Sequence, residues 1–358
     1  RVSLVEGSEL TLTFHLNKPV AQASLIGESG SVIPLEVRED GVVSDRMATF
    51  RPDESDAYRL VLVDGDGREN RDPPEITVDV VPNRAPELTA TFPGKDMKVT
   101  PLQELVLQAT AWDDFGLKEY GLVLQTPSGS EQLLVLGSEA EPDETVDFDH
   151  LMPLEDINAE PNDLIAYYFY ADDIGPSGDV RRTYSDMYFA EVRHFDEIYR
   201  QAPSQQSQQS QSSSGNPAQQ LVQLQRQVVT ATWNTLRKFP ADPGEDEQGT
   251  FAEDLETLTD SETTALELTQ QYLQTLDDLI ARQFANEAAQ QMIVALEQYR
   301  LSHDSRSVPP LSDAMVAARA ALAALLKLQA REHLVMNAQS SSQSSSSQSQ
   351  RQLDQQLK

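Results

Sequence analysis

The stretch "TAWDDFGLKEYGLVLQTPSG", residues 110–129, lies between two runs in which apolar and polar residues alternate. Upstream, "ELVLQATAW" places Leu105, Leu107, Ala109 and Ala111 on one face of a strand. Downstream, "KEYGLVL" does the same with Tyr120, Leu122 and Leu124. The short connection predicts that these strands pair, with Asp113 and Asp114 at the seam. An Asp at a strand end accepts backbone N–H bonds across a turn, and Gly116 supplies a left-handed residue beside it. The other reading is a metal site. In an immunoglobulin-type sandwich "AWDDFG" and "YADDIGPSG" fall at one pole, which brings Asp113, Asp114, Asp172 and Asp173 together. Clustered carboxylates are what Ca²⁺ requires, because this hard cation takes six to eight oxygen ligands.

Working outward, residues 83–198 read as a β-sandwich. "LIAYYFYADD" is an almost wholly apolar strand suited to the centre of a sheet. Residues 1–82 follow the same plan. "ELTLTFHL" alternates through Leu10, Leu12 and Phe14, and "AYRLVLVDGDG" through Tyr58, Leu60 and Leu62. "YRLVLVDG" and "YFYADDIG" are both tyrosine-led strands ending in Asp and Gly, which suggests two copies of one sandwich type. "DGDGREN", residues 64–70, brushes against a Ca²⁺-loop pattern but lacks the downstream bidentate Glu, so a tight turn is expected there.

Composition changes near residue 200. A Gln/Ser-rich linker is expected over 199–219, a helical region over 220–338 and a Gln/Ser-rich tail over 339–358. Helices are predicted at 217–239, 250–301 and 311–337. Leu221, Leu224, Val228, Thr232 and Leu236 form the seam of the first, and Leu266, Leu273, Leu276, Ile280 and Phe284 that of the second. The expected fold class is multidomain all-β plus all-α: two tandem immunoglobulin-like β-sandwiches, then a helical or coiled-coil region. Protein partners or self-association are expected through those helices.

The 358 residues carry 58 Asp and Glu against 27 Lys and Arg, a net charge of −31. Such a surface repels phosphate backbones, so nucleic acid is not an expected partner. Eleven carboxylates and no Lys or Arg fall between Gly244 and Ala281, which reads as a solvated helix face or a surface for a basic partner. There is no cysteine, and hence no disulfide or thiolate chemistry. The five histidines form no zinc pattern, and there is no P-loop, GxGxxG or GxSxG; "GESGS" at Gly27–Ser31 misses the last by one residue. A non-enzyme without an organic cofactor is therefore expected. No run of about 18 apolar residues is present. The start at Arg1 reads as a processed or internal fragment, so membrane contact is expected only through a segment outside this chain.

The segment "RAPELTATFPGKDMKVTPLQELVLQATAWDDFGLKEYGLVL", with "NDLIAYYFYADD" and "SDMYFAEVRHFDEIY", resembles the sandwich region of long, uncharacterised bacterial envelope proteins. These are grouped as domain of unknown function four-one-seven-five and its relatives. The shared features fall on the Ala-x-Asp-Asp-x-Gly-Leu turn at Ala111–Leu117, the strand at Tyr168–Asp172 and the closing strand at Ser185–Phe189. "LSDAMVAARAALAALLKLQAREHLV" is similar to the helical repeats that follow there. The resemblance implies a membrane-anchored protein of the bacterial cell envelope with a large extracytoplasmic, periplasmic-side part, acting as a non-enzymatic scaffold or interaction module. A Ca²⁺-dependent adhesive module is the alternative. No catalytic residues are implied.

Overall fold

The computed structural model describes residues 1–37, 45–126, 130–194 and 217–356, with side chains described to residue 334. The Gln/Ser tract at 203–216 lies outside the described residues.

The first sandwich contains β1 (Val2–Val5), β2 (Leu10–His15), β3 (Gln22–Gly27), β4 (Val32–Pro34), β5 (Glu36–Val37), β6 (Asp45–Phe50), β7 (Asp56–Val63) and β8 (Glu75–Val81). One sheet has the order β1-β8-β7-β3-β4 and the other β2-β6-β5. Alternation decides which side chains enter the core: Leu25 of β3, Tyr58 and Leu60 of β7 and Val78 of β8 are buried between the sheets.

The second sandwich contains β9 (Glu87–Phe92), β10 (Met97–Val99), β11 (Glu104–Trp112), β12 (Glu119–Gln125), β13 (Glu131–Ser138), β14 (Thr145–Pro153), β15 (Leu164–Ile174), β16 (Val180–Tyr184) and β17 (Tyr188–Val192). Its larger sheet runs β10-β17-β15-β12-β13, with β16 on the end of β15, over a smaller sheet β14-β11-β9. The larger sheets of the two sandwiches match in order. Each opens with a parallel pair, β1 with β8 and β10 with β17, and the remaining pairs are antiparallel. The tyrosine-led strands β7 and β15 occupy the same place in that order.

Leu105, Leu107, Ala109 and Ala111 of β11 all face the core, as their spacing predicts. The expected pairing of β11 with β12 is not observed. β11 pairs with β14 and β9, whereas β12 pairs with β13 and β15, so the Asp113–Gly116 connection crosses from one sheet to the other. Two alternating strands with a short connection are equally compatible with a hairpin and with an arch between sheets, and periodicity does not separate the two.

Four helices follow among the described residues: α1 (Pro217–Lys238), α2 (Glu245–Thr275), α3 (Leu279–Ser305) and α4 (Pro309–Gln356). Glu245, Asp246 and Glu247 crowd the first turn of α2, where the helix dipole favours negative charge, and Glu247 accepts from the Gly244 amide. The single helix expected over 250–301 is two helices. Leu276 is extended, and Asp278 caps α3 by accepting from the Ala281 amide at 3.2 Å. The break resets the helical phase, so Leu273 packs on the core while Ile280 is exposed. The last helix runs through the Gln/Ser tract to Gln356 rather than ending near 337.

β15 joins the two halves of the molecule. Its Ile165, Tyr167, Phe169 and Ala171 fill the sandwich core. Its Leu164, Ala166, Tyr168 and Tyr170 point from the other face into a cluster with Leu221, Val222, Val228, Val229 and Trp233 of α1 and with α4. A strand buried on both faces needs a continuous apolar run rather than an alternating one, and "LIAYYFY" provides it. Trp233 seals the contact. Its ring lies 4.3 Å from that of Tyr168 and 5.6 Å from that of Tyr184, and its indole N–H donates to the Ser185 carbonyl at 3.0 Å. Ion pairs of Arg226 with Asp96 and of Arg237 with Asp186 flank it.

Candidate functional site

Of the four aspartates singled out by sequence, Asp113 and Asp114 lie on the connection from β11 to β12, and Asp172 and Asp173 lie near the end of β15. Asp172 and Asp173 are neighbours on β15, so they point to opposite sides. Asp173 turns toward Asp113, and both carboxylates are almost fully buried. Asp172 turns away and takes a two-point contact from Arg182, with both N–H···O distances at 2.7 Å. The Arg182 guanidinium also lies 4.1 Å from the centre of the Tyr170 ring, whose hydroxyl donates to Glu119 at 2.9 Å.

Asp113 forms a side-chain turn. Its Oδ2 accepts from the Phe115 amide at 2.9 Å, and its carbonyl accepts from the Asp143 amide at 3.0 Å. Gly116 has φ +95°, and a Cβ there would meet the Ala140 carbonyl at 2.5 Å, so glycine is required by backbone conformation and by close approach. Burial pushes the Asp113 carboxyl above its ordinary value. The Phe115 amide opposes the rise, the charges of Asp173 and Asp114 add to it, and Arg181 opposes it. Asp113 Oδ1 and Asp114 Oδ1 have no hydrogen-bond partner among the described residues.

The positive charge at this pole comes from Arg181 on β16. It pairs with Asp173 and donates to the Asn83 carbonyl at 3.2 Å, to Asn83 Oδ1 at 2.7 Å and to the Arg84 carbonyl. Asn83 in turn donates to the Ile174 carbonyl at 2.8 Å, and its amide donates to Glu6 at 3.1 Å. The connection between the sandwiches is thereby tied to both of them. Gly7 completes the junction: a Cβ at this position would lie 1.8 Å from the Pro176 carbonyl. Among the described residues, no group of three or more Asp, Glu, His or Cys side chains is arranged to hold a metal ion. Arg181, Arg182 and Asn83 were not singled out by sequence, although "DDIGPSGDVRR" carried the signal. A hairpin centred on Ser177 sets Asp173 opposite Arg181 and Asp172 opposite Arg182.

"DGDGREN" is a turn held by Asp64, whose Oδ1 accepts from the amides of Asp66 and Arg68, each at 3.0 Å. A different kind of surface occurs on the helices. Leu279, Ile280, Ile293, Val294 and Leu301 of α3 are all exposed, and all fall within an arc of roughly 140° at about 100° per residue. Between α2 and α3 runs a groove of about 740 Å³, with Ile293 and Leu296 beside Glu256, Asp260 and Glu297. No described helix is long and apolar enough to cross a membrane.

No protein-family model and no curated protein matches the chain. Solved structures similar to part of it include the fibronectin(III)-like modules of Clostridium thermocellum CbhA, at 18% identity over 54% of this chain and 90% of that one, with a TM-score of 0.23. The two-domain structure of DIP-gamma IG1+IG2 is 13% identical over 54% of this chain and 93% of that one, with a TM-score of 0.24. A putative membrane-anchored protein from Corynebacterium diphtheriae is 10% identical over 54% and 57%, with a TM-score of 0.21. At these scores the likeness adds nothing to the strand order already described.

Proposed function

We propose that the chain is the non-enzymatic, extracytoplasmic scaffold and interaction part of a membrane-anchored bacterial envelope protein. The observation that carries this reading is the exposed group Ile293, Val294 and Leu301 of α3, displayed on a bundle that shares a core with the second sandwich. Ile293, Val294 and Leu301 lie within about two turns of one another beside the groove between α2 and α3, and exposed aliphatic side chains grouped in this way mark a surface for a protein partner. The sandwich junction acts as a mount: the Asn83–Arg181 contacts limit bending between the two β-domains. Of the four aspartates singled out by sequence, Asp172 and Asp173 are engaged by arginines and Asp113 by a backbone amide. The Ca²⁺-dependent alternative has weaker support, because Arg181 already supplies counter-charge at the acidic pole.

The test uses the full natural protein in its host cell. A photo-crosslinking residue at Val294 should give a discrete protein adduct, and the same residue at Leu102, exposed on the second sandwich, should not. These 358 residues lack cysteine, so Ser29→Cys, read against the unsubstituted protein, adds one thiol at a known position for a membrane-impermeant maleimide. Labelling before the inner membrane is breached supports the location. Labelling only after lysis, or equal adducts at Val294 and Leu102, contradicts the reading.

A further inference from the structure

The acid-rich helix α2 hides one of its carboxylates. Phe251, Leu255, Leu258, Glu262, Ala265 and Thr269 recur at spacings of three and four and are all buried, which puts Glu262 on the apolar face. Glu262 is 0% exposed, and so is Gln225 of α1, which meets it. Gln225 Nε2 donates to Glu262 Oε1 at 3.1 Å and to the Ala318 carbonyl of α4 at 3.2 Å. The other halves of the two groups, Gln225 Oε1 and Glu262 Oε2, are both buried and without a partner among the described residues.

Two unsatisfied acceptors on an amide and a carboxyl already joined by one hydrogen bond lack a donor, and a proton supplies it. We infer that Glu262 is protonated in the assembled bundle, its Oε2–H donating to Gln225 Oε1 to close a cyclic acid–amide pair, and that this proton is a latch between α1 and α2 which ionisation releases. The surroundings fit. The groups facing Glu262 are Gln225 from α1, itself tied to the Ala318 carbonyl of α4, and, acting through space, the Tyr299 hydroxyl of α3. Tyr299 is itself engaged with Thr232 of α1 at 2.6 Å. No cation acts on Glu262 among the described residues. Burial pushes its carboxyl up to about 7, against the lowering effect of the Gln225 bond.

The sign follows from proton counting. The unfolded chain releases this proton near the ordinary value of 4.5, whereas the folded chain holds it to about 7. Between these values the folded state binds more protons, so stability falls as pH rises, and the loss is complete above the folded value.

Glu262→Gln keeps the shape and makes the pair independent of pH, since an amide N–H takes the place of the acid O–H. Thermal melts of the full chain from pH 4 to 9 are the test. Wild type and variant should melt together near pH 4, diverge in the variant's favour up to about pH 7, and stay a constant several degrees apart above it. Parallel curves at every pH overturn the proposal. If the variant does not fold, the wild type decides through ¹³C titration of its glutamate carboxyls. One resonance with a midpoint about 7 supports the latch, and all resonances titrating in the ordinary carboxylate range overturn it.

Discussion

Replacing Trp233 by alanine removes the side chain that closes the contact between sandwich and helices. The indole is buried against Tyr168 and Tyr184 and bonds the Ser185 carbonyl. Truncating a buried aromatic to alanine costs about 3–5 kcal/mol. With a urea m-value of about 2–3 kcal/mol/M, the midpoint should fall by about 1–2 M. Trp233→Phe retains a ring over Tyr168 but leaves the Ser185 carbonyl without its donor, so about 1–2 kcal/mol is expected for it. The sequence holds two tryptophans, and in the alanine variant only Trp112, at the end of β11, still reports by fluorescence. Far-UV circular dichroism follows the helices. If sandwich and bundle are one cooperative unit, the two signals move together in the variant. A shift in the helical signal with Trp112 unmoved would refute the shared core.

Two further predictions concern the acidic pole. Arg181→Ala leaves Asp173 buried without its partner and should cost about 3 kcal/mol at neutral pH, read by urea titration against wild type. Asp113→Ala should cost about 0.5–2 kcal/mol through loss of the Phe115 amide bond, by analogy with helix caps, whereas Asp113→Asn keeps an acceptor and should be nearly neutral. Melts in EDTA and in millimolar Ca²⁺ should coincide for wild type and both variants, and a Ca²⁺-induced rise in wild type that is lost in the variants would promote the adhesive-module reading.

Much of the β half could be read from residues alone, because a strand with one face buried writes its alternation into the sequence. Leu105, Leu107, Ala109 and Ala111 show this directly. What the alternation could not say was which strand each one pairs with, and β11 and β12 lie in different sheets. β15 was legible as a central strand, but its apolar run of "LIAYYFY" also announced a cover on its second face. That cover is made by α1 and α4, further along the chain, and no local pattern names them. The break at Leu276–Asp278 hid in a seam that stays in phase through Leu273 and then shifts. Among eleven carboxylates Glu262 is distinguished only by its phase with Leu255, Leu258 and Ala265. The salt-bridged pole was written in the mirrored "DD" and "RR" around Ser177, a signal that hairpin register makes readable once it is sought.

The account depends above all on β15 being buried from both sides, by its own sandwich and by α1 and α4. Native-state hydrogen exchange across a denaturant series measures this most directly, residue by residue. The amides of Ile165–Tyr170 in β15 and of Val228–Trp233 in α1 should converge on one opening free energy and one denaturant slope, because neither element loses its cover without the other. Two separate isotherms, with α1 opening fully while β15 stays protected at its native level, would contradict the shared core.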